Sequence, residues 1–167
     1  MLIVVMLVLY GLITGSFLNV LIYRIPRGES IVLPPSHCPS CNHRLGFFDL
    51  FPVLSYLGLG GRCRYCKTPI SWRYPLVELI TEGLTLLCWI RFGLSIGGLM
   101  ALILTYVLIA IAFIDLDHQL IPNVLTLPMI VIGLVFRIWQ GEIIAGILGL
   151  LTGGGLLLLV SLFYPKG

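Results

Sequence analysis

The sequence predicts an all-α polytopic membrane protein of about five transmembrane helices with one polar loop between the first two. Three observations predict it. The 167 residues are 59% hydrophobic and 10% charged, with mean hydropathy +1.08, far more apolar than a soluble domain. Apolar runs cover residues 1–22, 76–90, 97–114, 124–136 and 143–163, two of them short against the roughly 17–25 residues that cross a hydrocarbon core. The basic residues concentrate between the first two runs.

The first run has no basic segment before it and no small-residue cleavage site after it, so it reads as a span and not as a signal peptide. Loop 24–74 holds Arg24, Arg27, Arg44, Arg62, Arg64, Lys67 and Arg73 against Glu29 and Asp49. Short basic loops stay cytosolic, which puts Met1 outside. Alternation then places the turn at 92–96 outside, 117–123 inside, 139–141 outside and Lys166 inside. Arg91 and Arg137 are the external basic residues. The parts are residues 1–23, a first helix; 24–74, a cytosolic loop; and 75–167, helices two to five. The net charge of +3 reports this topology and contact with anionic lipid; nothing in it points to nucleic acid.

Within the spans, Gly11 and Gly15 in the first run, and Ala145, Gly149 and Gly153 in the last, recur at four-residue spacing and predict close helix packing in lipid. Pro75 and Pro122 are expected in the first turns of the second and fourth spans. Pro128 predicts a kink inside the fourth. There is no internal repeat.

The loop carries Cys38-Pro-Ser-Cys41 and Cys63-Arg-Tyr-Cys66, separated by 21 residues, the spacing by which two knuckles give one metal ion four thiolates. Two disulfides are the alternative, which a cytosolic location disfavours. Arg62, Arg64 and Lys67 favour the thiolates electrostatically. Four protein ligands close the shell, so the expected zinc builds structure and does not activate water. Cys88, inside the second run, reads as an ordinary buried thiol.

Acidic residues near a span are functional candidates by default. Asp115 and Asp117 end the third run; Glu78 and Glu82 fall in the first turns of the second, four apart and so on one helix face. A polar helix end meeting water is the bland reading of the aspartates, and a solvated turn that of His118. Two carboxylates can share a proton and activate water, but positions two apart on a helix diverge. A dyad partner for either aspartate must come from another segment.

These residues resemble the type IV prepilin peptidases, membrane aspartic proteases of the GxGD class. The likeness runs through Gly15-Ser16-Phe17-Leu18-Asn19-Val20, Arg24-Ile25-Pro26, both cysteine pairs, Arg73-Tyr74-Pro75-Leu76-Val77-Glu78-Leu79 and the segment from Asp115 to Pro122-Asn123. It implies an inner-membrane endopeptidase that removes the basic leader of prepilins or pseudopilins at the cytoplasmic face, after a glycine, with N-methylation from S-adenosylmethionine in many members. It implies Asp115 as the first catalytic aspartate, by its spacing to Ile121-Pro122, with Asp117 second choice; Glu78 and Glu82 are candidates to face the substrate or the zinc loop. The family's second aspartate, in a Gly-x-Gly-Asp motif, is not in the sequence, because Gly153-Gly154-Gly155 is followed by Leu156. A truncated or partial chain is the expectation. A non-enzymatic membrane adaptor that docks pilus-assembly components on its zinc loop is the alternative, and a small ion transporter using Glu78, Glu82 and Asp115 a third reading.

Overall fold

The structure is a computed structural model that describes residues 2–163. Five long helices follow the five apolar runs: α1 (Leu2–Arg24), α3 (Arg73–Phe92), α4 (Ile96–His118), α5 (Asn123–Trp139) and α6 (Ile143–Phe163), with a short α2 (Leu54–Gly58) inside the polar loop. Among the described residues there are no strands. Leu2–Arg27, which includes a 3₁₀ turn, and Ile96–His118 are long and apolar enough to cross a membrane; Asn123–Trp139 and Ile143–Leu156 are apolar but shorter. The helices turn leucine and isoleucine outward, as Ile90, Leu116 and Ile144 illustrate at 74%, 77% and 72% exposure. Such surfaces suit lipid and not water.

The helix ends follow local chemistry. Pro75 falls at the third position of α3, where no N–H has an intrahelical partner to lose. Pro122 precedes α5 instead of opening it, because the helix starts one residue later. Pro128 lies inside α5 as anticipated. The Ser95 hydroxyl accepts from the Gly98 N–H at 3.0 Å and caps α4. Gln119, in the left-handed region at φ 51°, closes it by donating its N–H to the Asp115 carbonyl. Lys166 lies outside the described residues.

The chain divides into two compact units between Pro122 and Asn123. In the first, α1, α3 and α4 pack on one another. The buried face of α1 is Gly11, Gly15, Leu18, Asn19 and Ile22, a stripe at helical spacing, and it meets Val77, Glu78, Thr81, Glu82 and Thr85 of α3. The glycines make the approach possible: a Cβ on Gly15 would stand 2.7 Å from the Glu78 Cα and 3.1 Å from the Thr81 Cβ. α4 adds Tyr106, Ile109, Ala110 and Ile114. Thr81 and Thr85 donate their hydroxyls to the carbonyls of Val77 and Thr81, each at 2.7 Å. Their polarity is thus absorbed within the helix. Cys88 is half-buried, 3.6 Å from the Thr105 hydroxyl.

In the second unit, α5 and α6 pack together. The close approach falls at Gly146, where an added Cβ would stand 3.0 Å from the Arg137 Cβ. A Cβ at Gly149 or Gly153 meets nothing within 4 Å among the described residues, so the predicted small-residue seam of α6 is open.

Candidate functional site

The segment between α1 and α3 folds into two matching knuckles. In the first, Cys38 N–H donates to His43 O at 3.0 Å and Asn42 N–H to Cys38 O at 2.8 Å; in the second, Cys63 N–H donates to Thr68 O at 2.9 Å and Lys67 N–H to Cys63 O at 3.1 Å. Isolated bridges His37–Arg44 and Arg62–Pro69 close the two at equivalent positions. The residue after each second cysteine, Asn42 or Lys67, has positive φ, 54° and 61°. That turn brings both thiols of a pair to one side.

The four sulfurs of Cys38, Cys41, Cys63 and Cys66 lie within 4.8 Å of one another, with Cys38 and Cys66 3.8 Å apart. A tetrahedral ion with M–S bonds of about 2.3 Å needs sulfurs about 3.8 Å apart. Donor set and spacing both fit a metal ion, and all five cysteines of the chain are free thiols, which corrects the disulfide alternative. The Thr68 hydroxyl and backbone outweigh desolvation at Cys66 and bring that thiol to about 6. At Cys41 the His43 backbone hydrogen bond lowers the value, but desolvation and the neighbouring Cys66 and Cys38 together push it up to about 11. Four adjacent thiols do not all ionise unaided; a bound cation displaces the remaining protons.

The knuckles are tied to each other and to the helices. The rings of His43 and Tyr65 lie 3.6 Å apart between centroids. Asp49, at the end of the 3₁₀ turn Phe47–Asp49, accepts from Gly46 N–H at 3.0 Å, from Arg64 Nε at 2.5 Å and from the Tyr65 hydroxyl at 3.2 Å. Burial would push the Asp49 carboxyl up, but these donors outweigh it and hold it below its ordinary value. The buried Arg24 guanidinium donates to Ser30 O and Pro34 O, both at 2.7 Å, and Asn19 Nδ2 donates to Tyr74 O at 3.1 Å. A cavity of about 280 Å³ lies where the end of α1, the knuckles and the start of α3 meet, lined by Asn19, Arg24, Cys38, Asp49, Tyr74 and Glu78 among others.

The four acidic candidates fall in four environments. Glu78 is buried and accepts the Val53 N–H at 2.7 Å. Glu82 is buried against Gly11, and among the described residues neither of its carboxylate oxygens has a hydrogen-bond partner. At the end of α4, Asp117 is ion-paired with Arg73, whose guanidinium also donates to Phe113 O at 2.6 Å and stacks 4.9 Å from the Phe113 ring. Asp115 is exposed, and among the described residues its carboxylate has no partner. No second carboxylate is brought to it there. The sequence shows Arg24 and Arg73 as motif residues and Asp49 and Arg64 as loop charges, but not the ties that they make. Their partners are 6 to 44 residues away and no local pattern marks them.

Apolar helices carrying a four-cysteine metal centre in their first loop define a helical membrane protein with a metal-binding module. Residues 9–92 match the bacterial peptidase A24 N-terminal domain and residues 102–167 the type IV leader peptidase family. The chain belongs to the type IV leader peptidase family. A prepilin leader peptidase/N-methyltransferase of Myxococcus xanthus (strain DK1622) is 48% identical over 130 residues, 78% of this chain and 39% of that protein. Proteins of the same name from Aeromonas hydrophila and Pseudomonas aeruginosa (strain PAO1) are 39% identical over 180 residues and 40% over 152, covering 93% and 77% of this chain and 62% and 52% of those proteins. The chain thus spans between 39% and 62% of the length of these relatives. No solved structure matches it.

Proposed function

We propose that this chain forms part of a membrane aspartic endopeptidase that cuts the leader from prepilins or pseudopilins, with Asp115 as one of its two catalytic carboxylates. The observation that carries the reading is the division of labour at the end of α4: Arg73 engages Asp117 and leaves the Asp115 carboxylate free to act as a base. The names of the relatives support the same reading.

In the proposed reaction, Asp115 takes a proton from a water molecule as that water attacks the scissile carbonyl, and a second carboxylic acid gives a proton to the departing amine. No acyl-enzyme forms. The described residues do not place that second acid beside Asp115, so the reaction requires one from elsewhere in the gene product. Asp117 positions the start of α3 through Arg73. Glu78 and Glu82 serve the helix seam, which both line, more directly than they serve a substrate.

The four thiolates are proposed to hold zinc, a closed structural site that fixes the cytosolic loop 24–74 over the inner ends of the helices. The basic residues of that loop support a cytosolic position for it, with the N-terminus outside. The relatives' names also carry an N-methyltransferase. S-adenosylmethionine is the methyl donor that this activity would use, and of the carboxylates lining the cavity Asp49 already accepts from Arg64 and Tyr65, while Glu78 accepts from Val53 through one oxygen.

The test is a leader-cleavage assay on the full gene product in membranes. Asp115→Asn is expected to lower cleavage by about 10²–10⁴-fold, the range for loss of a general base, with metal content intact. Undiminished cleavage overturns the assignment.

A further inference from the structure

The polar loop carries a cluster of exposed aromatic side chains that neither the metal centre nor the proposed chemistry uses. Phe47 and Phe48 are 73% and 75% exposed, and Phe51, Leu54 and Leu57 follow them on the surface. The three phenylalanine rings hold together edge to face, Phe47 to Phe48 at 5.8 Å and Phe47 to Phe51 at 5.4 Å. The cluster is built and not frayed. Asp49, inside it, is fastened by Gly46, Arg64 and Tyr65, so the second metal knuckle sets the position of the phenylalanines.

We propose that Phe47, Phe48 and Phe51 insert into the headgroup boundary of the bilayer and seat the metal-binding loop on the membrane surface. The occupant is argued from depth. The Val53 N–H donates to the Glu78 carboxylate, and Glu78 lies five residues into α3, about 7.5 Å along its axis from Arg73 at 1.5 Å per residue. The loop therefore doubles back from the ends of α1 and α3 to the level of the membrane helices. Tyr23, Trp72 and Tyr74 are exposed at those same helix ends, where aromatic rings gather at a membrane interface. Val53 holds an unusual backbone conformation for a β-branched residue, φ 58° and ψ −48°, a strained turn that persists only where its surroundings fix it. Here the Glu78 hydrogen bond fixes it. Charge agrees with depth. Arg64 is held against Asp49 in the cluster, and Arg44, Arg62 and Lys67 belong to the same loop, which suits anionic lipid headgroups. The inference rests on the chain's membrane embedding and not on the peptidase reading.

Photocrosslinking of the full gene product tests it. Benzoylphenylalanine replaces Phe48, with Leu108 on the lipid-exposed side of α4 as the positive control and Ser40 in the first knuckle as the aqueous control. Each protein is reconstituted without substrate in vesicles of phosphatidylethanolamine and phosphatidylglycerol, checked for equal metal content, irradiated and weighed intact. The expected result is a phospholipid adduct at position 48 as at position 108, and none at position 40. Absence of a lipid adduct at 48 while 108 is labelled overturns the proposal. So does a covalent dimer in its place, which assigns the patch to a second copy of the chain. Replacement of the lipid adduct by a prepilin adduct, when a prepilin is added to the vesicles, also overturns it and makes the patch a substrate surface.

Discussion

Asp115 and Asp117 are two residues apart on one helix and have different surroundings, because Arg73 reaches only one of them. The sequence offers both as bases and ranks them by spacing to Ile121-Pro122; the ion pair that distinguishes them spans 44 residues, which no local pattern reveals. Glu78 and Glu82 show the same limit. Their four-residue spacing showed a shared face, but only packing reveals that this face is closed by Gly11 and Gly15. Glu82 is then a buried acid whose two oxygens have no partner. An unpaired charge is costly in such a place, and a neutral isostere is tolerated where the charge forms no bond. Glu82→Gln is therefore expected to leave the thermal unfolding temperature in detergent unchanged or raised; a marked fall means that Glu82 has a partner in the intact protein.

At the scale of elements, the contact of α1 with α3 depends on the absence of two side chains. Gly11 and Gly15 were legible as a seam because small residues at four-residue spacing have one main use in lipid. The same pattern in α6 has no neighbour at Gly149 and Gly153, so spacing marks a capacity and not a contact. The two α1 glycines are not equivalent. A methyl on Gly11 overlaps chiefly the flexible end of the Glu82 side chain and comes no nearer than 3.1 Å to the α3 backbone, at the Glu82 Cα, whereas one on Gly15 stands 2.7 Å from the Glu78 Cα. Gly15→Ala is expected to destabilise the helix pair by about 1–3 kcal/mol, the usual cost of overpacking, and Gly11→Ala by less, as read from thermal unfolding of the two variants in one detergent. Equal effects would mean that α3 shifts freely along α1. The knuckles were readable in full, since each Cys-x-x-Cys pair dictates its own turn. Their fastening to the Phe47–Asp49 turn through Arg64 was not, because those residues are brought together only by the folded loop.

Over the whole molecule, the metal centre, the Asp49 clamp and the helix ends form one connected scaffold, with acid lability in a definite order. The thiolates must be deprotonated to bind metal. Asp49 has a folded value below its ordinary one, so its contribution is complete above the unfolded value of about 3.9 and is lost only as pH falls through the folded value. Acidification is expected to release the metal first, followed by a chromophoric zinc indicator, and to disturb the surroundings of Phe47 and Phe48 further only below about pH 4. Loss of both in one step well above pH 4 would remove Asp49 as an independent clamp. On this scaffold, the proposed chemistry belongs to Asp115 at the end of α4 and not to its ion-paired neighbour Asp117. Side-by-side leader cleavage by the Asp115→Asn and Asp117→Asn forms of the full gene product, in the same membranes and at equal metal content, tests it most directly. Asp115→Asn is expected to lose about 10²–10⁴-fold while Asp117→Asn, which removes a partly exposed ion pair, is expected to retain activity within about tenfold. The reverse order, or equal loss in both, would contradict it.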